Sequence, residues 1–275
     1  MRNYRPALLA LTLASPAAAL PSAVQRPAPA PRSNSWIADS EALSISYRVW
    51  ENESGGRSDG LTWWNRGEAF ASVGIGHFIW FPAGTVQPFK ESFPSLLAYM
   101  EERGVELPEW LRGYPPCPWP DRASYRRDLD SPRMQELRNL LTRTLDLQAR
   151  FMADRLERAL PGLLKAAPAA RRDEVLRRFD ALASQSEGLY ALVDYTNFKG
   201  EGLVPPERYR GQGWGLLQVL LRMRGEPQGH AALEEFSRAA GLILARRVRN
   251  APPERREWRW LNGWRRRVRT YRPGS

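Results

Sequence analysis

Apolar residues recur three and four positions apart along residues 131–160, a spacing that places them on one face of a helix. Ser131-Pro132 is a good helix start, because Pro is favoured at the first helical position. Further helices are predicted at residues 172–185, 186–198, 212–224, 231–248 and 253–271. We therefore expect a mainly helical chain.

A small β region is predicted after the first helix. Residues 36–50 carry apolar side chains at spacings that suit one helix face, and Gly55-Gly56 then break the pattern. The next stretch, residues 61–81, alternates imperfectly and contains Asn65-Arg66-Gly67, a turn signal. The expected fold class is thus α+β, mainly helical, with a β-hairpin or small sheet inserted after the first helix.

The amino terminus has the layout of a secretory signal peptide. Arg2 and Arg5 precede a short apolar run, and small residues follow up to Ala19. The apolar run is too short to span a bilayer, which needs about 20 residues. We expect residues 1–19 to be removed near Ala19, residues 20–35 to be a Pro/Ala-rich linker, and residues 36–275 to form one domain. The predicted location is periplasmic or secreted, with no transmembrane segment.

The cysteine count and the charge limit the function classes. Cys117 is the single cysteine, so an intrachain disulfide is excluded; packing is its expected role, with intermolecular pairing as the alternative.

The net charge is +11, mostly from Arg. A basic surface attracts polyanions, which for an exported protein means cell wall or an anionic membrane face. The alternative interpretation, that a given Arg cluster is simply the solvated face of a helix, explains any single cluster equally well.

Glu53 is the candidate general acid. It lies at the predicted end of the first helix, in "ENESGG", near several Trp residues. Partial desolvation by such neighbours raises the pKa of a carboxyl, so that it can hold a proton near neutral pH. The alternative is an exposed or ion-paired Glu53. Glu51 is two residues earlier, so only one of the two can face a cleft.

Glycoside hydrolysis usually needs a second carboxylate, and Asp59 and Glu68 are both available. Aromatic and amide side chains nearby suit sugar rings, because the apolar ring faces stack on indoles and the hydroxyls bond to amides. Trp63, Trp64 and Asn65 supply these groups.

Metal or triad chemistry is not expected, since His77 and His230 are the only histidines and neither belongs to a Cys/His cluster.

Three ordered stretches resemble the phage-type lysozymes, the muramidase branch of the lysozyme-like superfamily. Glu53 followed by "SVGIGH" (72–77) resembles the family's catalytic Glu and hairpin signature. "NFKGEG" (197–202) with "GQGWGLLQVLLRM" (211–223) resembles its Gly-Glu turn and the next helix. "WLNGWRRRVRTYR" (260–272) resembles its Arg-rich final helix.

The resemblance implies cleavage of the MurNAc-GlcNAc β-1,4 bond of peptidoglycan, without a cofactor. Glu53 takes the general-acid position, and Ser72 takes the place of the hydroxyl that positions the attacking water. His77 is the signature histidine. The family's Asp has no clean counterpart, and Glu68, four residues before Ser72, is our choice for the second carboxylate. With Glu53 alone, the chain would resemble a lytic transglycosylase.

The second matching stretch offers further contacts to glycan strands. We expect Asn197, Glu201, Gln212 and Trp214 on the far side of a cleft. The alternative is that Gly200 and Gly202 cap a helix and that Trp214 lies in the core.

The leading hypothesis is a monomeric, exported, peptidoglycan-cleaving glycosidase. A non-catalytic cell-wall-binding protein of the same fold is the second hypothesis. Nucleic-acid binding is suggested by the charge alone and is not expected, because the sequence contains no recognisable nucleic-acid-recognition motif.

Overall fold

The structure is a computed structural model that describes residues 39–87 and 90–274. Within the first helix, the side chains of five residues are not described: Asp39, Ser40, Glu41, Glu53 and Ser54. The predicted signal peptide (1–19) and linker (20–35) lie outside the described residues. All the residues that are described belong to one compact unit.

Helices make up most of the described chain. Their bounds are α1 (Asp39–Ser54), α2 (Phe93–Glu101), α3 (Arg122–Arg127), α4 (Pro132–Arg143), α5 (Leu145–Ala166), α6 (Arg172–Ala183), α7 (Ser186–Lys199), α8 (Leu216–Arg222), α9 (Gly229–Asn250) and α10 (Leu261–Arg269). Together with the small sheet after α1, they confirm the prediction of a mainly helical α+β fold.

The predicted β region is an antiparallel sheet of short strands. Strands β1 (Thr62–Trp63), β2 (Ala71–Val73) and β3 (Phe78–Trp80) are neighbours in that order. A further pair, β4 (Arg208–Tyr209) and β5 (Gln212–Gly213), lies between α7 and α8. No sequence pattern indicated this pair, and the helix predicted from residue 212 therefore starts late, at Leu216.

Residues 131–160, predicted as a single helix, form two. Thr144 separates α4 from α5 with non-helical backbone angles (φ −124°, ψ 26°). Its hydroxyl donates to the carbonyl of Leu140 at 2.8 Å, and the Gln148 amide donates to the carbonyl of Leu141 at 2.7 Å. Side chains thus occupy carbonyls that helical N–H groups would take, which permits the break.

The carboxyl-terminal helix is also shorter than predicted. Of residues 253–271, the first part forms 3-10 turns at Pro253–Arg255 and Glu257–Arg259, and only Leu261–Arg269 are α-helical. Arg256 between these turns has a left-handed backbone, with φ +47°. A helix cannot pass through a residue in that conformation.

The core lies around α5, against which α1, α2 and α7 pack. An aromatic cluster joins it to the sheet: the ring of Trp80 lies 4.7 Å from Phe93 and 6.0 Å from Trp119. Cys117 is buried beside this cluster, and its backbone N–H donates to the carbonyl of Phe81. Burial raises the pKa of the Cys117 thiol to about 12, which fits the packing role expected for it.

Among the residues described, no helix has both the length and the apolar character needed to cross a membrane.

Candidate functional site

The turn between β2 and β3 carries the Gly-Ile-Gly-His sequence, and its two glycines are required by packing. Gly74 has φ +74°, a region that glycine adopts readily. A Cβ at Gly74 would collide with Oε1 of Gln148 and would lie 2.9 Å from the Phe78 ring. A Cβ at Gly76 would lie 2.6 Å from the same ring. The helix α5 therefore approaches this turn closely enough that only glycine fits.

Gln148 fixes the turn from the buried side. Its Oε1 accepts the backbone N–H of Ile75 at 2.9 Å, while its amide nitrogen donates to carbonyls in the α4–α5 break. Gln148 is fully buried, so all these bonds lie away from water. The turn that ends in His77 is thereby a rigid part of the core rather than a free loop.

The strand register assigns Ser72 to a particular face of the sheet. Directly opposite residues share a face, and Trp63, Ser72 and Ile79 are opposite one another on β1, β2 and β3. The other face, with Val73 and Phe78, is buried in the core. Ser72 is itself buried, next to the half-buried Ile79 and the exposed Trp63.

A cleft of about 210 Å³ opens beside Ile79. One wall is the segment from Gly76 to Ile79, the floor is α5, and the opposite wall is the end of α7. Its polar and charged lining consists of His77, Lys90, Ser92, Arg155, Thr196, Asn197 and Glu201. The cleft therefore brings together His77, Asn197 and Glu201, three of the residues that the sequence predicted for substrate binding.

The cleft has a mixed electrostatic character. Arg155 is accessible but crowded by protein, and the loss of surrounding water lowers the pKa of its guanidinium. Glu201 opposes that shift, because its negative charge favours the cationic form of Arg155. Lys90 adds a second cation at the rim. A ligand's hydroxyls would find partners on both walls, and an anionic group would find Arg155 on the floor and Lys90 at the rim.

Thr196 has an unused hydrogen-bonding group in this cleft. Its Oγ1 is buried, and none of the described residues gives it a hydrogen-bond partner. A buried hydroxyl without a partner is unfavourable by about 1–3 kcal/mol. Thr196 as a residue lines the cleft, although its Oγ1 atom is covered by protein.

The Gly-Glu-Gly turn (200–202) is held by the start of α8. The backbone N–H groups of Leu216 and Leu217 donate to the carbonyls of Gly200 and Glu201 at 3.0 and 3.1 Å. Gly202 and Gly215 face each other so closely that a Cβ on Gly215 would collide with the Gly202 backbone. The close contact between the backbones of Gly202 and Gly215 therefore holds Glu201 at the edge of the cleft.

Glu68, chosen from the sequence as the second catalytic carboxylate, lies in the connection between β1 and β2. Its carboxylate accepts the amide N–H of Asn65 at 3.0 Å, and the carbonyl of Asn65's side chain accepts the indole N–H of Trp63 at 2.8 Å. Trp63 is 51% exposed. These three predicted residues thus form a cluster on the hairpin, but none of them lines the cleft described above.

Trp64 and Gln212 are placed differently from what the sequence suggested, and Trp214 has the core position that was its alternative. Trp64 and Trp214 are buried, at 3% and 5% exposure, so neither indole can stack on a sugar. Trp64 packs on Tyr125, and the guanidinium of Arg247 lies over the ring of Trp214 at 4.1 Å. Gln212 is exposed in β5, where it accepts from Asn250, and it does not line the cleft.

Glu53 is the next-to-last residue of α1, as the sequence predicted for a helix end; its side chain lies outside the described residues. Its neighbour Asn52 is anchored. The Asn52 amide donates to the hydroxyl of Tyr190, which in turn bonds to the hydroxyl of Thr270 at 3.0 Å. The end of α1 is therefore tied to α7 and to the carboxyl-terminal segment.

Sequence reasoning missed several residues of the site. Lys90, Arg155 and Thr196 line the cleft but belong to no motif. Arg155 could not be distinguished from the many other arginines of the chain, whereas Thr196 stands directly before the predicted Asn197. The anchor formed by Asn52, Tyr190 and Thr270 joins residues more than 200 positions apart, and no local pattern reveals such a contact.

Comparisons with protein-family models, with curated proteins and with solved structures find no match to this chain. Functional inference therefore depends on the residues of the site and on the resemblance of its three motifs.

Proposed function

We propose that this protein is an exported peptidoglycan-cleaving glycosidase with a lysozyme-like fold, in which Glu53 is the general acid. One observation carries the proposal: the cleft joins Gly76-His77 of the first motif to Asn197 and Glu201 of the second. These segments are about 120 residues apart in the sequence. Convergence on one cleft is what a shared binding site requires.

The third motif supports the same arrangement. Thr270 and Tyr271 of "RTYR" contact α7, where the Tyr271 hydroxyl donates to Asp194 at 2.6 Å. Thr270 also bonds to Tyr190, the residue that receives the Asn52 amide. The final segment thereby braces the helix turn that carries Glu53, which is a positioning role rather than a direct part in chemistry.

In the proposed reaction, Glu53 protonates the glycosidic oxygen while positive charge develops on the sugar. By the resemblance, the Ser72 hydroxyl positions the attacking water; Ser72 is opposite Ile79 of the cleft wall, although it is buried and does not itself line the cleft. His77, Asn197 and Glu201 hold glycan hydroxyls and amides. The exposed indole of Trp63 supplies a stacking surface at the hairpin.

Clearing of purified peptidoglycan tests the role of Glu53. We expect Glu53→Gln to reduce the clearing rate by about 10²- to 10⁴-fold, the usual contribution of a general acid. Glu51→Gln is the matched control, because Glu51 is an exposed carboxylate on the same helix turn. Equal clearing by the wild type and Glu53→Gln would remove Glu53 from the mechanism.

A second candidate reaction is that of a lytic transglycosylase, in which a hydroxyl of the substrate attacks and Glu53 acts alone. It is favoured by the position of Glu68, which bonds to Asn65 on the hairpin and does not line the cleft. Full clearing activity in Glu68→Gln would support this candidate. A loss comparable with that of Glu53→Gln would favour hydrolysis with two carboxylates.

The same fold would also serve a non-catalytic wall-binding protein. Saturable binding to insoluble peptidoglycan by the wild type, without release of soluble sugar, would identify that function instead.

A further inference from the structure

A second cavity, of about 260 Å³, lies between α9 and α10 and shares no residue with the cleft. Four arginines line it: Arg238 from α9, Arg265 and Arg269 from α10, and Arg272 just beyond α10. Arg265 and Arg269 are four residues apart in α10, so they project from one face of that helix, and Arg272 follows in the turn after it. No acidic residue of the described chain lines the cavity.

Two of these four arginines have no ion pair among the described residues. Arg238 is paired with Glu235, whose carboxylate accepts its Nε at 2.6 Å. Arg272 donates to the hydroxyl of Ser237 at 3.3 Å, which turns it toward α9. Among the described residues, neither Arg265 nor Arg269 takes part in an ion pair, and both are exposed. Bringing such charges together is unfavourable without an anion.

The shape and floor of the cavity leave room for that anion. Gly241 lies on the α9 side, and a Cβ built there meets no atom within 4 Å. Leu242 and Val268 add apolar surface. Each guanidinium presents a planar fork of donors that matches the oxygens of a phosphate, and a phosphate has enough oxygens and charge for several arginines at once. A carboxylate, with two oxygens, would satisfy fewer of them.

We propose that the cavity between α9 and α10 binds a phosphate group, supplied either by an anionic phospholipid headgroup or by a soluble phosphate. The site is independent of the cleft and of the proposed glycosidase activity. Arg265 and Arg269 contact the phosphate, Arg238 and Arg272 complete the ring of charge, and Gly241 keeps the space open.

Two probes distinguish the sources of the phosphate. Calorimetric titration with inorganic phosphate and with glycerol phosphate measures binding of the soluble group. Co-sedimentation with phosphatidylglycerol vesicles, compared with phosphatidylcholine vesicles, measures binding to a lipid surface. Both are carried out on the mature full-length protein near 0.15 M salt, where exposed charges beyond about 8 Å are largely screened.

Two variants alter the site in different ways. Arg265→Gln/Arg269→Gln removes two charges, and Gly241→Leu fills the cavity without changing the charge. Because Gly241 is helical and has open space around it, the leucine variant should fold normally, which circular dichroism checks. The matched control is Arg259→Gln/Arg266→Gln, which removes two exposed arginines of the same segment that do not line the cavity.

We expect saturable binding to at least one probe, weakened at least 10-fold by each site variant and less than 2-fold by the control. Binding to the soluble phosphates assigns a soluble ligand, and binding to phosphatidylglycerol vesicles alone assigns a lipid headgroup. The proposal is overturned if neither probe binds, if the control weakens binding as much as the double site variant, or if Gly241→Leu binds like the wild type.

Discussion

At the scale of single residues, Gly74 allows a direct test of why the Gly-Ile-Gly-His turn has its sequence. Gly74 and Gly84 both have φ +74°, but only Gly74 is crowded; a Cβ at Gly84 meets nothing within 4 Å. Gly84→Ala should therefore cost about 1 kcal/mol of unfolding free energy, from backbone strain alone. Gly74→Ala should cost about 1–3 kcal/mol more, because its Cβ also collides with Gln148 and Phe78.

Urea denaturation of the two alanine variants measures this difference. Equal unfolding free energies for Gly74→Ala and Gly84→Ala would show that the contact between α5 and the turn is not tight, which would contradict the account of a rigid turn at the cleft.

The predictability of the site also differs from residue to residue. Of the residues predicted for substrate binding, His77, Asn197 and Glu201 line the cleft, and each belongs to a short motif whose glycines leave a recognisable signature; their contact with substrate stays a prediction. The sequence suggested a sugar contact for the buried Trp64 and left Trp214 open between a sugar contact and the core, because a Trp in a strand-like or Gly-rich stretch has the same local pattern whether it is buried or exposed. Burial depends on Tyr125 and Arg247, which are distant in the sequence.

At the scale of elements, a buried ion pair joins α7 to α10. Asp194 is fully buried and accepts two bonds from Arg267, at 2.9 and 2.8 Å, and one from Tyr271. Removing the carboxylate leaves the Arg267 charge buried without its counter-ion, which typically costs about 3–5 kcal/mol. We therefore expect Asp194→Asn to lower the unfolding free energy by about that amount in chemical denaturation.

Asp59→Asn is the control for this change. Asp59 also pairs with an arginine, Arg57, but both side chains are more than half exposed. Solvent screens an exposed pair, so this variant should unfold like the wild type. A similar loss of unfolding free energy in both variants would mean that burial does not determine how strongly the ion pair between Asp194 and Arg267 stabilises the fold.

A second buried carboxylate, Glu257, ties the turn before α10 to α9 and β4. Burial by itself raises the pKa of Glu257, but hydrogen bonds from Arg247 and Tyr209, at 2.8 Å, outweigh that effect. The net result is a pKa below the ordinary value of 4.5. Since the folded pKa is depressed, the stabilisation is present above about pH 4.5 and is lost as the pH falls through the folded pKa.

The pH dependence of unfolding checks this assignment. The wild type should lose stability relative to Glu257→Gln as the pH is lowered from 5 toward 3, so the difference between their urea midpoints narrows. A difference that stays constant over this range would contradict the depressed pKa of Glu257.

Element boundaries were predictable only where local signals govern them. Ser131 caps α4, with its hydroxyl accepting from Met134, as Ser131-Pro132 indicated. The break at Thr144 could not be predicted, because it depends on Gln148, whose carbonyl is also needed by Ile75 in the distant turn. The predicted end at residue 160 was too early, since α5 continues through Pro161 to Ala166.

At the scale of the whole molecule, helical periodicity was enough to predict the fold class, and the order of the motifs was enough to predict that distant segments would meet at one cleft. What the sequence could not provide was the relation of the hairpin to that cleft. Glu68 was chosen by its spacing to Ser72, yet its place on the hairpin follows from the turn and from Asn65.

We propose that the chain cleaves glycan strands through Glu53. Mass spectrometry of the soluble products from digested peptidoglycan tests this proposal, because it reports activity and product type together. We predict soluble disaccharide-peptide fragments from the wild type and from Glu51→Gln, and almost none from Glu53→Gln. Reducing ends would indicate hydrolysis, and anhydro ends would indicate transglycosylation. The absence of soluble sugar with the wild type, or equal release by Glu53→Gln, would contradict the proposal.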